Sequence, residues 1–352
     1  IVLEPNHRFI YPNDQMHIKR LIETGLFLLA LCIPASANLD VVWPTEHPPV
    51  DMRNSFFSLL QPTESEELLS GNFGCVRSEG NQFHEGIDLR AFARDKRGEA
   101  IDLVRSVLPG VVVYTNSNRS KSSYGRYILI EHSDSEIYFL TLYAHLFSIQ
   151  PSISRGQTVR AGQKIATMGR SASYTIPKDR AHLHFEVCLR LTDGFQSWYD
   201  WKEFDEKNDH GLFNGMNLVG INPGTFFEET QWNHAGRLLQ VLEVEKTAFT
   251  VVVSTGQVPD FVRRYPALVD GVIPDQNLAG WRVEYTYYGA PKKWTPLIPK
   301  TGKVREGKMA LQEYDPSMLS SDNCRGMLRF QNNKPTVGPG LQSSIQLLFG
   351  FR

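Results

Sequence analysis

The sequence predicts an all-β protein, on three observations. Apolar runs are short and bounded by Gly, Pro and charged turns. Residues 181–189 and 281–287 alternate apolar and polar almost strictly. Helical periodicity is weak along the whole chain. At 352 residues the chain is too long for one small domain, and two are expected. Hydrophobic residues at 41% and charged residues at 21% describe a folded rather than a disordered chain. Lys+Arg at 37 against Asp+Glu at 38 leaves a formal net charge of −1, which argues against nucleic acid as a partner. No apolar run reaches the ~18–20 residues that cross a bilayer.

The N-terminal stretch reads as an export signal. Met16 is the first methionine, and Met16-His17-Ile18-Lys19-Arg20 is a basic opening. An apolar core follows at 26–33, then Ala35-Ser36-Ala37, a small-residue cleavage site. Residues 16–37 are therefore expected to be a signal peptide. Residues 1–15 are an upstream segment outside the mature protein, which is placed in the periplasm, the cell envelope or the medium. Leu31 before Cys32 is too large for a lipid-attachment site. Cleavage leaves Cys75, Cys188 and Cys324, so at most one intrachain pair can form, and the sequence leaves open which.

The mature chain is read in three parts. Residues 38–70, rich in Pro, Glu and Ser, read as a linker or N-terminal arm with a short helix near 64–69. Residues 71–225 read as a β domain. Its strands are expected at 106–114, at 127–131 and 137–143 as a hairpin, at 158–160 and 164–168, and at 181–189. Residues 226–352 read as a second β-rich domain, a small sandwich or barrel of unknown role. Its strand-like runs are 249–254, 281–288 and 344–349.

Five residues carry the chemistry: His84, Asp88, His145, His182 and His184. Side chains two apart on a strand share a face, so both imidazoles of His182-Leu183-His184 project together while Leu183 and Phe185 face the core. His84-Glu85-Gly86-Ile87-Asp88 sets an imidazole and a carboxylate around a glycine. A catalytic zinc takes three N or O ligands and keeps one position open for water. Either motif alone is weak. Together in one β domain, with His145 ending a strand between them, they point to a metal site.

These stretches resemble, in order, the lysostaphin-type zinc metallopeptidases, the LytM-domain family (peptidase family twenty-three). The resemblance runs through Phe73-Gly74-Cys75-Val76-Arg77, His84-Glu85-Gly86-Ile87-Asp88-Leu89 and Val107-Leu108-Pro109-Gly110-Val111-Val112. It continues through Tyr124-Gly125-Arg126-Tyr127, Tyr143-Ala144-His145-Leu146, Gly156-Gln157-Thr158-Val159 and His182-Leu183-His184-Phe185-Glu186-Val187. It covers residues 71–190. It implies an antiparallel, duplicated-hybrid-motif-like peptidase fold, with one Zn2+ on His84, Asp88 and His184. It implies catalytic roles for His145 and His182, without dividing those roles between them. The implied activity is hydrolysis of peptidoglycan cross-links or stem peptides by an exported zinc endopeptidase. The alternative is a non-catalytic LytM-type module that activates another wall hydrolase; such modules usually lose metal ligands. The loop at 169–180 is longer and more charged than the family pattern. Glu85 is expected to be a solvated carboxylate, His132 a structural histidine, and Glu186 either structural or an orienting partner for an imidazole.

Overall fold

Strand alternation builds the centre of the molecule. Along His182–Arg190, Leu183, Phe185, Val187 and Leu189 enter the main core, and His182, His184, Glu186 and Cys188 take the opposite face. A computed structural model describes residues 39–299, 306–319, 323–332 and 334–352. The expected signal peptide at 16–37 and the segment before it lie outside the described residues.

The strands in chain order are β1 (Gly74–Arg77), β2 (Gln82–His84), β3 (Ile87–Arg90), β4 (Leu103–Arg105), β5 (Gly110–Asn116) and β6 (Tyr127–Ser133). They continue with β7 (Tyr138–Ala144), β8 (Ser148–Ile149), β9 (Thr158–Val159), β10 (Lys164–Thr167), β11 (His182–Arg190) and β12 (Leu218–Ile221). A seven-stranded antiparallel sheet runs β12-β11-β7-β6-β5-β9, with β3 also paired to β11. The long β11 thus has two partners along one edge: β3 beside its first half and β12 beside its second. β1 and β2 form a separate hairpin, and β4, β10 and β8 a three-stranded sheet.

The strands expected between 106 and 189 are present, each within a few residues. The hairpin turn is tighter than its polar stretch suggested. Asp134 accepts from the backbone N–H of Glu136 and Ile137, and His132 and Ser133 stay in β6.

Residues 39–70 form a packed arm. Trp43, Met52, Phe56, Leu59 and Leu60 are buried, and the Trp43 ring lies 4.5 Å from that of Phe227. Those apolar residues, spaced through a Pro- and Glu-rich background, hold the arm down. The short helix expected near 64–69 is a 3-10 turn at Leu68–Gly71.

Beyond residue 226 the chain is again β-rich. Strands β13 (Phe249–Ser254), β14 (Gly280–Tyr285), β15 (Pro291–Leu297) and β16 (Met309–Tyr314) make an open antiparallel sheet in the order β15-β14-β13-β16. Strands β17 (Leu328–Gln331) and β18 (Lys334–Val337) form a hairpin. Helices rather than a facing sheet cover the four strands: Trp294 meets Phe261 at 5.6 Å and Phe349 at 5.6 Å.

Phe349 marks a correction, because residues 344–349 are helical, within Pro339–Phe349, and not a strand. Pro at the first turn and Gly350 at φ 67 after the last are the start and stop signals. Leu341, Ile345 and Leu348 supply the buried stripe. The described residues group as one compact unit. Phe226 and Phe227 pack on Phe139 and Phe185 of the seven-stranded sheet, and Tyr265 accepts the Arg190 N–H at 2.9 Å.

Candidate metal centre

Sheet register assembles the site. In the β11–β3 pair His184 lies opposite Asp88, and in the β11–β7 pair it lies opposite Ala144, one residue before His145. The β1–β2 hairpin sets His84 opposite Gly74. Gly86 lets β2 pass close to β11, since a Cβ there would sit 2.3 Å from the Phe185 carbonyl oxygen. The structure brings all five residues singled out in the sequence to one place, and all five are buried.

Three ligand atoms converge. His84 Nε2 is 3.0 Å from His184 Nδ1, and Asp88 Oδ1 is 3.2 Å from the first and 2.9 Å from the second. The far side of each ring fixes its tautomer. His84 Nδ1 lies 2.7 Å from the Asn72 carbonyl and donates to it, leaving a lone pair on Nε2. His184 Nε2 lies 2.9 Å from Glu186 Oε1 and donates to it, leaving a lone pair on Nδ1. With His184 neutral, two imidazole lone pairs and a carboxylate oxygen face one point, an arrangement that suits a cation. His84, Asp88 and His184 are the only such cluster among the described residues. The other Asp88 oxygen is held by the Arg77 guanidinium.

The electrostatics match this cage. Burial lowers His84 to about 4 against the pull of Asp88. Burial raises Asp88, but His84 and His182 outweigh it and hold the carboxyl well below its ordinary range. Burial also opposes charge on His184, yet its bonds to Asp88 and Glu186 raise it to about 9. Without a metal ion, a proton on His184 is what those two carboxylates attract.

His145 and His182 stand beside the cluster with ring centroids 4.7 Å apart. His145 Nδ1 donates to the Ser171 carbonyl at 2.9 Å, and His182 Nδ1 to the Arg180 carbonyl at 2.7 Å. Both Nε2 atoms are therefore acceptors. Burial, then neighbouring imidazoles for His145, lowers both rings, so both are neutral at pH 7. His145 has φ 58, a left-handed conformation rare for a side chain of its size. Its N–H donates to the Tyr124 carbonyl at 2.9 Å.

Sequence reasoning missed Asn72, and it named Arg77 and Tyr124 only as parts of motifs. The Tyr124 hydroxyl donates to Glu186 at 2.6 Å, so Glu186 takes two donors and orients His184. Glu85 is half-buried, not solvated; burial and then Glu186 raise its carboxyl. His132 is structural, between the Pro109 carbonyl at 2.8 Å and Thr141 at 2.7 Å. Beside Ser171 lies a cavity of about 490 Å³ walled by Arg97, Arg119, Arg126, Phe147 and Tyr174.

Residues 82–194 match the family model of peptidase family M23. This region of the chain is similar to that family. Its relatives include the uncharacterized lipoprotein YgeR of Escherichia coli, 35% identical over 159 residues, 45% of this chain and 50% of that protein. The murein hydrolase activator NlpD of Salmonella dublin is 35% identical over 126 residues, 36% of this chain and 27% of that protein. The peptidoglycan DD-endopeptidase ShyB of Vibrio cholerae is 42% identical over 66 residues, 19% of this chain and 13% of that protein. The chain spans half or less of the length of these relatives. No helix among the described residues is long and apolar enough to cross a membrane.

Proposed function

We propose that the chain is a zinc-dependent endopeptidase of the cell envelope that hydrolyses peptide bonds of bacterial peptidoglycan. The observation that supports this most is the convergence of two imidazole nitrogens and a carboxylate oxygen beside two neutral imidazoles. His84, Asp88 and His184 would hold one Zn2+. The donor set is that of a catalytic site, three N or O ligands from protein with room for a fourth. When bound, the ion supplies a Lewis acid that makes water nucleophilic at neutral pH.

The chain's own residues do the rest. Arg77 fixes one Asp88 oxygen and leaves the other free to ligate. Tyr124 and Glu186 hold the His184 ring. His145 and His182 are neutral with Nε2 as the acceptor atom, so either can take the proton of water and, as the imidazolium, pass it to the leaving amine. Arg97, Arg119 and Arg126 have no carboxylate within ion-pair distance among the described residues, whereas Arg170 and Lys178 both pair with Glu99. That cationic wall suits a peptide substrate bearing carboxylates.

The likeness to a murein hydrolase activator favours one second reading, a module that binds the wall and stimulates another hydrolase. The two separate in one assay. Purified chain incubated with peptidoglycan releases new amines if it is the peptidase, and His145→Ala and His182→Ala each abolish release while keeping zinc. An activator releases amines only when a second hydrolase is added, and both variants still stimulate it. The likeness to a lipoprotein and to a murein hydrolase activator, with the export signal read in the sequence, supports placement in the envelope.

A further inference from the structure

The C-terminal part of the chain grips the hairpin that carries the first metal ligand. Cys324 is disulfide-bonded to Cys75 of β1, with the two Cα atoms 5.8 Å apart and 249 residues between them in sequence. The Cys324 N–H also lies 3.2 Å from Cys75 Sγ. Cys75 sits directly across from Phe83, the residue before His84.

The next residue reaches the same place. The Arg325 guanidinium lies over the Phe83 ring, 4.7 Å from its centroid, and its Nη1 donates to the Tyr288 carbonyl at 3.2 Å. Tyr288 packs edge-on against Phe73 at 4.9 Å, and Phe73 against Phe83 at 5.2 Å. Glu85, Phe83 and Arg325 wall one cavity of about 710 Å³. The hairpin they hold bears His84 and Arg77, and the Asn72 carbonyl that fixes His84 lies at its root.

We propose that Cys324 and Arg325 are positioning residues for the metal centre: the C-terminal segment clamps the β1–β2 hairpin so that His84 stands at ligating distance from Asp88 and His184. A two-strand hairpin is marginal by itself. Its spacing relative to β3 and β11 is therefore set by what grips it from outside. A role is thereby assigned to the part of the chain beyond the M23 match, and the inference rests on the zinc reading above.

The test is zinc affinity of the full chain by competition with a chromophoric chelator, a readout independent of hydrolysis. The double variant Cys75→Ser/Cys324→Ser removes the crosslink without leaving thiols that would bind zinc themselves. Arg325→Gln removes the guanidinium and keeps the crosslink. Each is expected to weaken zinc binding about tenfold, the lower end for groups that orient a metal ligand. Each is also expected to speed hydrogen exchange at residues 72–86. Arg325→Lys restores part of the affinity. Val251→Ala, a cavity in β13 away from the hairpin, lowers stability and leaves zinc affinity unchanged. Wild-type affinity in both the double variant and Arg325→Gln overturns the clamp alone. A tenfold loss in Val251→Ala also overturns it, by showing that general destabilisation suffices. A wild-type chain that binds no zinc overturns the metal reading and the clamp with it.

Discussion

Glu186 shows how much one residue can do without touching a substrate. It continues the alternating face of β11, accepts from His184 and Tyr124, and so decides which imidazole nitrogen is left for a metal. Glu186→Gln keeps the shape and removes the charge. Its expected outcome is a 10–100-fold loss of zinc affinity with an unchanged melting curve, measured by chelator competition and thermal denaturation. Gly86→Ala is the complementary case. The added methyl would press on the Phe185 carbonyl and the Glu186 side chain, so thermal denaturation should show a loss of about 1–3 kcal/mol and zinc binding should fail. His84, Asp88, His145, His182 and His184 were legible because strand periodicity and motif spacing are written in the sequence. Arg77 and Asn72 were not, because a turn and a hairpin bring them to Asp88 and His84, and no spacing rule encodes that.

At the scale of elements, β6 carries a pH-sensitive joint. His132 is buried and held neutral, with burial lowering it from 6.5 to about 4. The unfolded chain therefore binds a proton that the folded chain refuses between those values. This contribution to stability is complete above pH 6.5 and is lost as pH falls toward 4, up to about 3 kcal/mol. Urea unfolding at pH 7 and pH 5 should show a smaller drop for His132→Gln than for wild type. His84, His145 and His182 add slope of the same sign to both proteins. The loop 169–180 is the second element with a measurable role. Arg126→Gln, beside the Ser171 that supports His145, should raise KM for acidic wall peptides several-fold with kcat little changed. An equal fall in kcat would remove Arg126 from the binding wall. Strands were legible where apolar and polar residues alternate. The helix Pro339–Phe349 was not, because its short apolar run fits either period, and its Pro and Gly signals lie outside the run.

At the scale of the molecule, the arm, the M23-like domain and the C-terminal sheet share one core. That union was not legible: Pro- and Glu-rich composition suggested a linker, and three cysteines allowed several pairings. Among the described residues Cys188 is the buried free thiol, and Cys75–Cys324 closes the long loop. Removing the crosslink should cost on the order of 2–5 kcal/mol in guanidinium unfolding. A chain cut after residue 225 would expose the Phe73 and Phe185 surroundings that Tyr288 and Phe227 cover. It should therefore be less stable than the full chain and more prone to aggregate. The central claim is a metal centre that hydrolyses wall peptides, and the most direct measurement joins its two halves. Zinc content and amine release from peptidoglycan are determined for the purified chain and for His184→Ala. About one zinc per chain with amine release is expected, and loss of both in the variant. Absence of zinc and of amine release in the wild-type chain would contradict it and leave the activator reading as the better one.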